Sequence, residues 1–272
     1  MTKVRNIIWL FSGIFLIYAL CLLVLYTFEE KIIFQPQGLN SQHVFEFDYP
    51  FEEFFLECPN GERINALHFK TKTEARGVVL YLHGNADNLQ RWGQYHDDFT
   101  KRGYDVLFID YQGYGKSSGI VSEKGLYQNA ETAYDWLTRH YRPEQILIYG
   151  RSMGTAPASY LATQVASNML ILETPFNNIR GTIEGRFPFF YIPFELRNRL
   201  PNDEHLTQLT CPVYIFQGTQ DWIVPYQSAS QLKPLLKSRD RFYTVEGGGH
   251  KNLSSFPSYQ EWLDEVLGKS VL

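Results

Sequence analysis

"ILIYGRSMGTAPASYLA", residues 146–162, begins with four apolar residues, breaks at Gly-Arg-Ser-Met-Gly, and continues in small residues. A strand that turns into a helix across a serine flanked by glycines presents a hydroxyl at the end of a sheet. Gly-x-Ser-x-Gly fixes only three letters, and alone it describes a loop that happens to contain serine. Its weight depends on the rest of the chain.

On both sides, short apolar runs alternate with amphipathic stretches. Glu53–Cys58 and Arg63–Lys70 read as two strands of a hairpin around Pro59-Asn60-Gly61. Gly77–Leu82, Val106–Asp110, Ile146–Tyr149, Met169–Leu172, Val213–Gln217 and Phe242–Val245 read as further strands. Helical patterns cover Leu89–Arg102, Gly125–Tyr141, Gly154–Ala166, Tyr226–Lys237 and Tyr259–Leu267. Strands that are apolar throughout are covered on both faces. The expectation is therefore an α/β fold: a mostly parallel sheet with helices on both faces, led by an antiparallel hairpin. No linker interrupts it, so residues 29–272 form one expected domain after an N-terminal segment, 1–28.

That segment is the second strong signal. Ile7 to Tyr26, "IIWLFSGIFLIYALCLLVLY", carries no charge. As a helix of about 20 residues it spans roughly 30 Å, the thickness of a bilayer's hydrocarbon core. Trp9 and Tyr26 suit its two interfaces. A cleavable signal peptide competes with this reading, but would have a shorter apolar core and small residues before the cut. A lipoprotein would use Cys21, where Leu20 is too bulky for the preceding position. The expectation is an uncleaved transmembrane anchor in contact with the lipid bilayer. Lys3 and Arg5 precede the segment, placing the N-terminus in the cytoplasm and the larger domain on the non-cytoplasmic side.

The 272 residues carry a net charge of −4, with 44% hydrophobic and 16% aromatic content. The chain is globular, and the charge makes no case for nucleic acid. Outside the anchor only Cys58 and Cys211 could pair, and they equally stand as two free thiols. No residues have metal-ligand spacing, and no cofactor is expected. The oligomeric state is not legible. Residues 186–200, "RFPFFYIPFELRNRL", break the rhythm. They read either as a buried connection or as a short cap whose aromatic groups line an entrance for an apolar substrate or rest against lipid.

In such a sheet, chemistry gathers at the carboxyl ends of the strands. Ser152 follows one strand, and the turn "LHGNADN" at 82–88 follows another. Asp221 in "QGTQDWIVP" and His250 in "VEGGGHKNL" follow two more. A serine hydroxyl needs a base, an imidazole works near neutral pH, and the imidazolium formed needs a carboxylate. Ser152, Asp221 and His250 occur in the chain order of a nucleophile elbow. The main-chain N–H groups of Met153 and Asn85 are the candidate donors to an oxyanion. Glu173, at another strand end, is the reserve acid, and Asp221 could instead cap the helix near Pro225. His83 is expected to brace the oxyanion turn, Asp110 and residues 111–119 to shape the floor, and Arg151 to make a buried ion pair.

Together, "LYLHGNADN", "DYQGYGKSSG", "IYGRSMGTAPASYLA", "ILETPF", "CPVYIFQGTQDWIVP" and "GGGHKNL" resemble the α/β-hydrolase domain-containing proteins with one N-terminal membrane anchor. That group includes protein depalmitoylases and uncharacterised bacterial members. The resemblance covers the chain from about Lys31 onward. It implies a serine hydrolase with Ser152 as nucleophile, Asp221 as acid, His250 as base, and oxyanion donors at Asn85 and Met153. The depalmitoylases carry a cysteine-rich N-terminus, whereas this chain has a long apolar segment with Cys21 alone, so depalmitoylation does not carry over. The expected substrate is a carboxylic ester or thioester, with a lipid-like one among the candidates. A peptidase or amidase with the same triad and a non-catalytic binding protein on the same fold are the alternatives.

Overall fold

The computed structural model describes residues 2–187 and 189–268. The chain opens with α1 (Thr2–Ile33), followed by an extended strap over residues 34–50. The hairpin β1 (Phe51–Glu57) and β2 (Arg63–Phe69) comes next, then β3 (Gly77–Leu82), α2 (Leu89–Trp92), α3 (Asp97–Thr100) and β4 (Tyr104–Ile109). Then follow α4 (Glu123–Leu137), β5 (Ile146–Arg151), α5 (Thr155–Gln164), β6 (Met169–Glu173), α6 (Ile179–Arg186) and α7 (Asn202–Gln208). The described chain closes with β7 (Val213–Gly218), α8 (Tyr226–Ser230), β8 (Arg241–Val245) and α9 (Pro257–Gly268).

One eight-stranded sheet has the order β1-β2-β4-β3-β5-β6-β7-β8. β1 and β2 pair antiparallel, β2 meets β4 antiparallel, and every later pairing is parallel. Every residue of β3, β4, β5, β6 and β7 is buried. That is why these strands read as unbroken apolar runs instead of alternating ones. One face packs Val78, Leu80, Ile148, Leu170 and Ile215 under α4 and α5. The other packs Val79, Tyr81, Phe108, Tyr149 and Phe216 against α9 and the α2–α3 segment. This architecture is the α/β-hydrolase fold that the motifs led us to expect.

Two predicted helices are broken. Leu89–Arg102 resolves into α2, a 3-10 turn at Gly93–His96, and α3. A Cβ on Gly93 would lie 2.5 Å from the Phe47 ring, so the strap presses in where the helix yields. Tyr226–Lys237 stops at Ser230 and resumes as a 3-10 turn at Lys233–Leu235, because Pro234 has no N–H to continue an α-helix. The predicted hairpin, the other strands and the last helix differ from those observed by only a residue or two at their ends.

α1 is long and apolar enough to cross a membrane, and most of it is exposed. Its last turns are not free. Leu25, Glu29 and Ile33 are buried. Glu29, 1% exposed, accepts from the Asn198 N–H at 2.6 Å, the Asn198 side chain at 3.0 Å and the Arg197 N–H at 3.1 Å. The segment between α6 and α7 is therefore packed on this helix. Cys58 and Cys211 are buried free thiols.

Candidate active site

Ser152 sits at the sharp turn between β5 and α5 with a φ of 52°, a left-handed conformation that costs a non-glycine residue about 1–3 kcal/mol. The turn closes because its neighbours lack Cβ atoms. One on Gly154 would lie 2.0 Å from the Leu82 carbonyl oxygen, and one on Gly150 would lie 2.5 Å from that of Gly154. Only glycine lets the turn sit this close to the end of β3.

β7 and β8 bring the other two groups to the same rim. His250 Nε2 is 2.9 Å from Ser152 Oγ, and His250 Nδ1 is 2.8 Å from Asp221 Oδ2. A carboxylate only accepts, so Nδ1 carries the proton and Nε2 is left to accept the serine hydrogen. Asp221 is buried, and its other oxygen accepts from the N–H groups of Ile223 at 2.9 Å and Val224 at 2.8 Å. The carboxylate thus holds the turn before α8 together with the imidazole, but it does not cap α8, whose N-terminus at Pro225 receives no side-chain hydrogen bond. Gln217 Nε2, 3.3 Å from Asp221 Oδ2, adds a further donor.

Glu173 lies elsewhere. It pairs with Arg151 at 3.2 Å and accepts from the hydroxyls of Tyr149 and Tyr259, with both charged groups buried. Arg151 therefore makes the expected buried ion pair. It also lies over the Tyr95 and Trp92 rings and donates to the His250 carbonyl at 3.4 Å, which ties the imidazole loop to β5.

The turn after β3 holds Asn85, with Ala86 and Asp87 both at positive φ. The side chain of Asn85 does something that sequence reasoning missed. Its Nδ2 donates to the Ile33 carbonyl at 2.6 Å, while its Oδ1 accepts from the Gln35 N–H at 2.9 Å and the Tyr114 hydroxyl at 2.8 Å. The exit of α1 is thereby tied to the candidate oxyanion turn. Below it, His83 is fully buried, with Nδ1 2.7 Å from the Gly84 carbonyl and Nε2 3.3 Å from Asp110. Asp110 also accepts from the Leu89 N–H at 3.2 Å. Burial raises the Asp110 carboxyl above its ordinary range, while His83 pulls the other way. His83, expected to brace the turn, and Asp110, expected to shape the floor, both lie beneath it.

Ser152 and His250 open into a cavity of about 480 Å³ whose wall includes Gln35, Asn85, Arg91, Trp222, Ile223 and Lys251. Trp222 and Lys251 each follow a residue singled out from the sequence, and that adjacency was the available signal. Gln35 belongs to the strap, and nothing in its local sequence marks it. Among the described residues no cluster of His, Cys, Asp and Glu is arranged to hold a metal ion.

A family described as serine aminopeptidase, S33, matches residues 73–194. The human "alpha/beta hydrolase domain-containing protein 17B" is 29% identical over 224 residues, covering 81% of this chain and 76% of the relative. The zebrafish (Danio rerio) "lysophosphatidylserine lipase ABHD12" is 28% identical over 286 residues, covering 85% of this chain and 72% of the relative. Among solved structures, the Pyrococcus furiosus esterase Pf2001 superposes with a TM-score of 0.67 at 17% identity, over 86% of this chain and 97% of the esterase.

Proposed function

From the premise that this chain belongs to the α/β-hydrolase domain-containing serine hydrolases, we propose that it cleaves a carboxylic ester or thioester through an acyl-enzyme on Ser152. The observation that carries this reading is the hydrogen-bonded line from Ser152 Oγ through the His250 ring to Asp221. In this reading the Ser152 oxygen attacks the substrate carbonyl as its proton passes to His250 Nε2. The imidazolium is held by Asp221, and the oxyanion by the N–H groups of Asn85 and Met153. Collapse expels an alcohol or thiol that takes the proton from His250. Water, deprotonated by the same nitrogen, then releases the acid and restores Ser152.

We further propose that residues 1–28 form a single-pass anchor, with residues 7–26 in the bilayer, and that residues 29–272 form the hydrolase domain. In this arrangement the N-terminus is cytoplasmic and the catalytic domain lies on the other side. The apolar α1 supports the first part, and Lys3 with Arg5 the orientation. The lipase and esterase names among the relatives favour ester chemistry and a lipid-like acyl group.

Ser152→Ala in the full chain is expected to abolish turnover of a short p-nitrophenyl ester and labelling by a fluorophosphonate, with the circular dichroism spectrum unchanged. Hydrolysis at the wild-type rate in that variant would remove Ser152 from the chemistry. The aminopeptidase description of the matching family favours a second reading, cleavage of an amide by the same groups. An aminoacyl anilide compared with its ester counterpart separates the two.

A further inference from the structure

Between α6 and α7 the chain runs "FPFFYIPF" from Phe187 to Phe194, with charges only outside it, at Arg186 and Glu195. Its side chains divide into two sets. Ile192 is fully buried and clusters with Leu25 of α1, Leu196, Phe190 and Phe194. Phe187, Phe189 and Tyr191 face outward, Phe189 at 100% exposure.

The inner side follows α1 toward its N-terminus. The Tyr26 ring meets Phe194 edge-on at 5.5 Å. Two turns earlier, the Tyr18 ring meets Phe190 edge-on at 5.7 Å, and the Tyr18 hydroxyl donates to the Tyr191 carbonyl at 2.6 Å. The two tyrosines lie eight residue steps apart on the helix, about 12 Å along the axis. The loop therefore reaches well into the stretch, residues 7–26, that we assign to the hydrocarbon. At its upper edge Arg197 donates to the Tyr26 carbonyl at 3.0 Å and lies 3.6 Å from Glu29.

We propose that the Phe187–Tyr191 edge is seated among the acyl chains of the leaflet that α1 crosses, with the cavity holding Ser152 opening at the bilayer surface. The substrates are then esters whose acyl chains lie in that leaflet, a statement that rests on the hydrolase reading above. Backbone exposed to lipid must find its hydrogen bonds within the protein. Here the Phe190 N–H donates to the Phe187 carbonyl at 2.7 Å, and the Ile192 N–H to Glu184 at 3.2 Å. Arg180 donates to the carbonyls of Ile192 and Phe194, and Tyr18 to that of Tyr191. Two phenylalanines and an amphipathic tyrosine held outward beside a helix long and apolar enough to cross a membrane, on a loop whose backbone is partly bonded to α1 and α6, fit lipid as their occupant. The loop is also linked to the cavity. Arg186 donates to the Trp222 carbonyl and lies over the Trp222 ring, 5.6 Å from its centroid, and Trp222 lines the cavity wall.

The test uses the full-length protein in phosphatidylcholine vesicles. In a Cys21→Ser background the remaining thiols, Cys58 and Cys211, are buried. Phe189→Cys carries an NBD probe, with Ser238→Cys as control, exposed just before the N-terminal end of β8 and so at the opposite end of the sheet from Ser152. At position 189, quenching by lipids spin-labelled on the acyl chain and protection from aqueous iodide are expected, and at 238 the reverse. Equal iodide access at both positions would overturn the proposal. So would protection at 189 without acyl-chain quenching, which would indicate a protein occupant. In an otherwise wild-type chain, Phe189→Asp should lower hydrolysis of a long-chain ester in vesicles by about tenfold or more, given the cost of a charge in hydrocarbon. Hydrolysis of a water-soluble acetate ester should be little changed. Loss on both substrates, or on neither, would remove the claim about substrate. The probe reads depth without turnover, so a protein inert to every ester would refute the hydrolase reading and leave the seating of the loop measured by itself.

Discussion

At the scale of single residues, two of the buried carboxylates at strand ends meet partners of different kinds. Asp221 faces an imidazole, and Glu173 faces a guanidinium. Asp221→Asn keeps the shape but lets Nδ1 lose its acceptor, so the imidazole can take the wrong tautomer and its cation loses its partner. We expect kcat to fall by about 10⁴ with KM and stability nearly unchanged. Glu173→Gln is expected to do the converse. It leaves Arg151 buried without a counter-charge and should cost roughly 3 kcal/mol of stability, with a smaller effect on kcat. Urea unfolding and ester kinetics on the two variants check this together. Equal losses of kcat would mean that Glu173 also serves the imidazole. Which carboxylate meets which base was open in the sequence, since both follow apolar strands. The order of the strands decides it: β6 lies beside β5, which places Glu173 against Arg151.

Elements carry the next level. Strands were legible because burial on both faces leaves a local mark, an unbroken apolar run. The groups that follow those strands were legible for the same reason, and the structure brings Ser152, Asp221, His250 and the Asn85 turn to one rim. The break at Gly93 was not legible, because its cause is Phe47, a residue of the distant strap. The tie from Asn85 to Ile33 and Gln35 spans about fifty residues and leaves no periodic trace. The packing of α7 on α5 was equally hidden, and it carries a pH dependence. His205 of α7 is 9% exposed, with Nδ1 2.9 Å from Ser159 Oγ of α5. Burial lowers its pKa from 6.5 to about 4. Above pH 6.5 the imidazole is neutral in both folded and unfolded chains. As pH falls through the window down to 4 the unfolded chain takes the proton first, so stability is lost, by about 2–3 kcal/mol at most. Asp98 works against this, since burial raises its carboxyl to about 6 and the folded chain then binds protons more readily than the unfolded. Wild type therefore has to be compared with His205→Gln, which retains Asp98. The fall in unfolding free energy from pH 7 to pH 4 should be smaller in the variant than in wild type, and parallel pH profiles would exclude His205 as the source.

Across the whole molecule, α1 does more than continue the chain into an apolar segment. Its last turns supply Leu25 to the core of the α6–α7 segment, and Glu29 caps the backbone of that segment at Arg197 and Asn198. Its exit is tied by Asn85 to the candidate oxyanion turn. One helix thus contacts both the segment beside the cavity and the turn at its base. Glu29 is a polar link in this arrangement. It is buried, yet its ion-pair partner Arg197 is half exposed, so the carboxylate contributes mainly through the buried N–H and amide groups it satisfies. Glu29→Ala in the full chain would leave the Asn198 donors without that acceptor, at a cost of about 1–3 kcal/mol. Because the sheet does not depend on this contact, the cost should appear as local opening rather than global unfolding. Hydrogen exchange should quicken in peptides from residues 187–199 and stay unchanged in β3 through β7. Uniform acceleration across the sheet would mean that α1 supports the entire fold. Unchanged exchange at 187–199 would mean that the apolar contacts of Leu25, Tyr18 and Tyr26 hold the segment without the carboxylate.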